Sequence, residues 1–209
     1  SAPYMQGVVD RFMPVFNEHG LDVFVPPVNE RMEVEDLLPV IGDVELFARE
    51  RAVNAPDAPF VAITGTNGKS TTTALTAHIL SAAGRDVQVG GNLGTPILAL
   101  EPPKRDRIHV IELSSYQIEL MPSLQATVGV MLNLTPDHLD RHATMERYAD
   151  IKFAVPDRAR YPVIGVDDAY GKAMAAKIEA KEGNKGRKVI AISTAQIVPS
   201  GYIAGQSHL

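Results

Sequence analysis

Between Phe60 and Ile192 the apolar residues fall into two rhythms that take turns. Short, largely unbroken runs lie at Phe60–Ile63, His109–Leu113, Thr127–Leu134, Pro162–Val166 and Lys188–Ile192, with a more polar one at Asp86–Val89. Glycine, proline and polar residues bound them, and their centres do not alternate, which predicts parallel strands buried on both faces. Between the runs, apolar residues recur at helical spacing from Gly68 to near Gly84, from Met145 onward, and over Ala169–Lys181. Strand and helix in alternation predict an α/β fold, a mostly parallel sheet flanked by helices. Pro156 predicts a break in the helix begun at Met145. The tail after Ser193 reads as a small hairpin or a partly loose end.

Upstream the rhythm differs. Val8, Val9, Phe12, Met13, Val15 and Phe16 make an apolar helical face, interrupted by Pro14. Leu21–Val25 reads as a strand closed by Pro26–Pro27, and Glu33–Ile41 as a second short helix. Residues 1–41 thus form a helix-strand-helix segment with no chemistry of its own, and 42–209 the main domain. The main domain opens with an amphipathic helix over Gly42–Arg51, burying Val44, Phe47 and Ala48. Asn54–Pro59 links it to the first strand of the sheet.

Composition narrows the function more than the fold. A net charge of −5 gives no basic footprint, which argues against nucleic acid as a partner. There is no cysteine, so disulfides and thiolate metal sites are excluded. No stretch approaches the ~18 apolar residues of a membrane span, and the first residues carry no signal pattern. A soluble cytoplasmic protein is the expectation; the oligomeric state is not fixed by the sequence.

The chemistry gathers where apolar runs end. Phe60–Ile63 leads into T-G-T-N-G-K-S and then a helix, the layout of a phosphate-binding loop. Gly65, Thr66, Asn67, Gly68, Lys69, Ser70 and Thr71 are the candidate ATP-binding residues. Glycines let backbone N–H groups face an anion, and the helix start adds its dipole. Lys69 would reach the β- and γ-phosphates and Ser70 a Mg²⁺. The loop is shorter than the usual pattern, whose first glycine would fall at Ile63. Glu112 stands at the end of its strand, where open α/β sheets bind ligands; its alternative is a salt-bridged strand end. Thr127–Leu134 delivers T-P-D-H-L-D-R-H, in which His138 is a candidate metal ligand. G-G-N-L-G-T-P at Gly90–Pro96 is a second glycine turn, with or without a ligand.

In this order TGTNGKST, GGNLGTP, ELSSYQIE, NLTPDHLDRH and YADIK resemble the central ATPase domain of the Mur ligases, over about Val40 to Ser193. GGNLG with ELSSYQ is most similar to the branch that adds D-glutamate to UDP-N-acetylmuramoyl-L-alanine in peptidoglycan precursor synthesis. The resemblance implies an ATP-dependent, Mg²⁺-using ligase with Lys69, His138 and Lys152 as catalytic residues. Ser70, Glu112, His138 and Lys152, the last as a carbamate, would hold the metal. Asn92, Gln117 and His138 would meet the muramoyl-peptide substrate. The implied partners are small molecules: ATP, the UDP-muramoyl peptide and D-glutamate.

The family's first, UDP-binding domain and its last, Rossmann-like domain have no counterpart here, so full ligase activity is not expected. Residues 3–41 instead resemble the first helix-strand-helix of a D-2-hydroxyacid dehydrogenase. A non-catalytic nucleotide-binding scaffold and a folylpolyglutamate-synthase-like ligase are the alternatives. A scaffold would not require Glu112, His138 and Lys152 together, and ELSSYQIE weighs against the folate branch.

Overall fold

The computed structural model describes residues 41–181, 187–195, 197–198 and 201–203, with two single helical positions at Met13 and Asn17. The chain divides into two compact units, Ser1–Val40 and Ile41–Leu209. The strand and second helix expected before residue 41, and the polar loop expected over 182–186, lie outside the described residues.

In the second unit, α1 (Asp43–Asn54) is followed by β1 (Phe60–Thr64), α2 (Lys69–Ala82) and β2 (Asp86–Gly91). A 3₁₀ turn (Ile97–Ala99) leads to β3 (Arg107–Glu112), α3 (Ser115–Glu119) and β4 (Val128–Met131). Then come α4 (Leu139–His142), α5 (Met145–Asp157), β5 (Tyr161–Gly165), α6 (Ala169–Glu179), β6 (Ile190–Ser193) and β7 (Gly201–Ile203). The strands form one sheet in the order β2-β3-β1-β4-β5-β6-β7, and every pair is parallel.

Burial explains the apolar runs. Ile63, Val110 and Val130 pack with Ala77 of α2 on one side of the sheet. Met131 and Ile164 pack with Tyr148, Phe153, Met174 and Ile178 of α5 and α6 on the other. Adjacent residues of β4 therefore enter different cores, as the alternation of side chains along a strand requires. The helix expected over Gly42–Arg51 forms with Val44, Phe47 and Ala48 buried, and Phe47 packs edge-on to Phe60 at 5.4 Å.

Topology places the site. β1 is central, with β3 on one side and β4 on the other. Ile63 is in register with Glu112 and Thr64 with Met131, so three strands end side by side. The chain leaves β1 for one side of the sheet and returns on the other, which opens a crevice above these ends.

Two expectations are corrected. Pro156 does not break α5, which runs on to Asp157. Proline lacks only the N–H that would reach the Lys152 carbonyl, and in the last helical turn that single loss ends the helix rather than splitting it. Among the described residues the tail forms no hairpin: β7 pairs parallel to β6. Asp167 accepts hydrogen bonds from the Ser193 and Thr194 hydroxyls and from Thr194 N, and so clamps the chain at the end of β6 against an immediate return.

Gly165 closes β5 so near β4 that a Cβ would lie 1.9 Å from the Leu132 carbonyl oxygen. Backbone cannot yield as a flexible side chain does. Gly165→Ala is expected to cost about 3 kcal/mol or more, in the range of severe overpacking. Urea unfolding measures it; a loss below about 1 kcal/mol would mean that the two strands separate freely.

Candidate nucleotide-binding site

The loop from Gly65 to Gly68 is built by the two strands beside it. Thr64 ends β1 buried, its hydroxyl donating to the Leu113 carbonyl at 2.9 Å. Thr66 N donates to the Asn133 carbonyl at 2.9 Å, and Asn67 N to Asn133 Oδ1 at 2.9 Å. Asn133 Nδ2 returns a bond to the Asn67 carbonyl at 3.0 Å, and Thr135 N donates to the Thr66 hydroxyl at 3.1 Å. Segment 132–135, just past β4, is thus the brace of the loop.

Those bonds divide the candidate loop residues. The N–H groups of Thr66 and Asn67 are taken up by Asn133 and are not free for an anion. Gly68 has φ 82°, a left-handed turn that suits glycine, and α2 starts immediately after it with no side-chain cap. The first N–H groups of a 14-residue helix, from Lys69 to Thr71, therefore lack a side-chain acceptor. That is the arrangement that attracts phosphate. Lys69 folds back over the loop, its Nζ 2.8 Å from the Thr66 carbonyl, while Ser70 and Thr71 are exposed.

Lys152 lies beneath the same loop. Thr144 caps α5 by accepting from Arg147 N, and the helix buries Tyr148, Ala149, Lys152, Phe153, Val155 and Pro156. Lys152 occupies a core position of this stripe and is 2% exposed. Its Nζ donates to the Gly65 carbonyl at 2.8 Å and the Thr64 hydroxyl at 3.2 Å, and stands 5.0 Å from the centre of the Tyr148 ring. Burial, followed by the like charge of Lys69, lowers its pKa from 10.5 to about 7 against the weaker opposing pull of Asp137 and Glu112. The uncharged amine is therefore accessible near neutral pH.

Glu112 is 2% exposed at the end of β3. Its Oε1 accepts from Asn92 Nδ2 at 3.0 Å, whereas Oε2 is buried with no hydrogen-bond partner. Among the described residues it forms no salt bridge, so the salt-bridged alternative finds no partner. Asn92 N also donates to the Glu112 carbonyl at 2.9 Å, tying the second glycine turn to this carboxylate. A buried carboxylate with an unanswered oxygen suits a cation.

His138 takes a left-handed backbone, φ 51°, and presents a half-exposed ring whose Nε2 is 3.5 Å from Asp137 Oδ2. Gln117 serves its own helix: Oε1 accepts from Ser114 N and Oγ, each at 3.1 Å, in a reciprocal cap of α3. Among the described residues no three His, Asp or Glu side chains form a metal cluster by themselves. A metal here would draw on Ser70, Lys152 or a bound phosphate as well.

The sequence reading did not single out Asn133, Thr135, Tyr148 or the His142–Ser115 pair. His142 is fully buried, with Nε2 2.9 Å from Ser115 Oγ and its ring stacked on Tyr148 at 5.4 Å. Burial pushes its pKa down, against the opposing pull of Glu119, and so favours the neutral ring. Tyr148 in turn places its hydroxyl 3.3 Å from that of Thr66. Asn133 and His142 were visible in the quoted NLTPDHLDRH, but nothing in their spacing distinguishes a brace from a ligand.

The Mur ligase middle domain, as a family, matches residues 63–197. The chain belongs to the Mur ligase family. It is 55% identical over 170 residues to the UDP-N-acetylmuramoylalanine--D-glutamate ligase of Agrobacterium fabrum, covering 81% of this chain and 35% of that protein. The ligase of the same name from Nitrobacter hamburgensis is 57% identical over 165 residues, 78% of this chain and 34% of the relative. The chain thus spans about a third of the length of these relatives.

Two solved structures share the fold. A UDP-N-acetylmuramoyl-L-alanyl-D-glutamate--2,6-diaminopimelate ligase superposes with a TM-score of 0.58 at 23% identity, covering 87% of this chain and 41% of that one. MurF ligase from Thermotoga maritima, in complex with ADP, gives 0.52 at 16% identity, covering 90% and 45%. The parallel sheet expected from the sequence is the one found. No helix among the described residues is long and apolar enough to cross a membrane.

Proposed function

We propose that this Mur ligase domain is the ATP-using core of a ligase that joins D-glutamate to UDP-N-acetylmuramoyl-L-alanine. The observation that carries the reading is Lys152, a lysine held at a core position directly under the phosphate loop. A scaffold that only held a nucleotide would gain nothing from it, nor from the unanswered Glu112 oxygen. The names of relatives at 55–57% identity support the choice of D-glutamate over folate chemistry.

The substrate carboxylate attacks the γ-phosphorus of ATP, and the bond to the bridging oxygen breaks to release ADP. The amine of D-glutamate then attacks the acyl carbon, phosphate leaves, and the amine proton goes to solvent. No protein side chain becomes covalently attached. The N–H groups at the start of α2 and Lys69 hold phosphate oxygens and offset their charge. Asn92, which fixes Glu112, and Gln117, which caps the start of α3, would meet the muramoyl-peptide substrate.

Ser70, Glu112, His138 and a carbamate on Lys152 would hold Mg²⁺, which supplies charge neutralisation at the phosphates. The carbamate follows from the amine's own state. The ammonium form, which Lys69 repels, first loses a proton; the uncharged amine then adds CO₂ and releases a second proton, leaving an anion beside Lys69. Thr64 and Gly65 hold that nitrogen in place.

Calorimetry on this chain tests the reading. ATP is expected to bind one to one in the presence of Mg²⁺ and much more weakly without it. D-glutamate-dependent phosphate release from UDP-N-acetylmuramoyl-L-alanine is not expected from this chain, since its matched part spans only about a third of the relatives' length. Failure to bind ATP with Mg²⁺ present would overturn the assignment.

A further inference from the structure

The end of the sheet opposite the phosphate loop holds a second cleft, of about 640 Å³. It lies between the C-terminal ends of α1 and α5, the turn entering β4, and the segment before β6. Four arginines line it, Arg51, Arg158, Arg160 and Arg187, against a single acidic residue, Asp57. The local excess of three positive charges stands in a chain whose net charge is −5.

Most of these guanidinium groups are fixed by neutral acceptors. Arg51 donates to the Ala58 carbonyl at 2.7 Å and the Gln125 carbonyl at 3.2 Å. Arg158 reaches the Pro122 carbonyl at 2.8 Å, and Arg187 those of Asp157 and Ala159 at 2.8 and 3.1 Å. Carbonyls orient a guanidinium but leave its charge in place. Arg187 has one carboxylate nearby, Asp157 at 3.8 Å, which Lys181 shares at 3.0 Å.

Carbonyl capping accounts for Arg51 and Arg158. It accounts for Arg187 only in part and for Arg160 not at all. Arg187 Nε is buried without a hydrogen-bond partner among the described residues. The Arg160 side chain is exposed, makes no hydrogen bond among the described residues, and lies over the Tyr161 ring at 5.1 Å. Cations gathered in one cleft repel, and an anion removes that cost. The planar fork of arginine matches phosphate oxygens in pairs, and the volume lies in the range of small-ligand sites.

We propose that this cleft is a second anion site, taking a small molecule with a di- or triphosphate group held by Arg158, Arg160 and Arg187. An excess of three charges fits a polyphosphate better than a single carboxylate. The proposal is independent of the ligase reading, because the cleft shares no residue with the phosphate loop.

Inorganic pyrophosphate is the probe, titrated without Mg²⁺ at low salt into the Lys69→Ala chain, in which the phosphate loop is weakened. Backbone amide NMR signals of residues 123–127 and 158–160 are expected to shift in a saturable way. Arg160→Gln in the same background, a change at an exposed side chain, is expected to weaken binding about tenfold, the loss of one charge-assisted bond. Unmoved signals, or equal affinity in the Arg160→Gln chain, overturn the site. Citrate is run in parallel; equal binding of citrate overturns the preference for phosphate.

Discussion

Replacing Lys69 with alanine is expected to lower the affinity for ATP with Mg²⁺ about ten- to a hundredfold and to leave the fold standing. The size follows from losing charge-assisted hydrogen bonds worth roughly 1.5–3 kcal/mol, at about 1.4 kcal/mol per tenfold. The fold survives because Lys69 is half-buried, stands in the first turn of α2, and its side chain makes one hydrogen bond among the described residues, to the Thr66 carbonyl. Asn133 and Thr135 hold the loop without it. Calorimetry reads the affinity and a thermal melt reads the fold. Equal ATP affinity in both proteins would remove Lys69 from the phosphate site. A collapsed melt would make it a structural residue instead. The substitution also removes the like charge that helps to lower the Lys152 pKa, so Lys152 should hold its proton to higher pH.

The strands and the glycine turn that opens α2 were legible because each rests on a local rule. An apolar run such as Phe60–Ile63 buries itself on both faces, and a glycine turn ahead of Lys69 starts a helix whatever lies around it. What was not legible depends on contacts distant in sequence. Asn133 braces Asn67 from 66 positions away, and no periodicity announces that. The left-handed turns at His138 and Ala143, on either side of the four-residue α4, are unfavourable for such residues and follow from packing rather than propensity. Gln117 was read for substrate on resemblance, while its contacts make it the reciprocal partner of the Ser114 cap. The direction of β7 could not come from three residues, since parallel and antiparallel pairing share one pattern. Four arginines from separate segments meet only in the folded chain.

Lys152 is the position where sequence rules and structure conflict most, and its pH dependence is the sharpest consequence. In metal-free, CO₂-depleted buffer, Lys152→Met is expected to be more stable than the parent chain at pH 6 and less stable at pH 9.5. The unfolded lysine titrates at its ordinary 10.5 and the folded one at about 7. Between those values the unfolded state binds the extra proton, so stability of the parent rises with pH across this window. Below it both states are protonated and the burial penalty is complete, on the order of a few kcal/mol. Above it the penalty is gone, and the parent keeps two hydrogen bonds, to Gly65 and Thr64, that methionine cannot make. The two melting curves against pH should therefore cross. Parallel curves would mean that Lys152 keeps its charge in the fold, and with it the route to a carbamate would close. If the carbamate acts as proposed, Lys152→Ala should lose Mg²⁺-dependent ATP binding and regain part of it with formate or acetate, whose carboxylate fits the space the side chain leaves. A Lys152→Ala chain that binds as tightly as the parent, with no response to carboxylate, would take Lys152 out of the site.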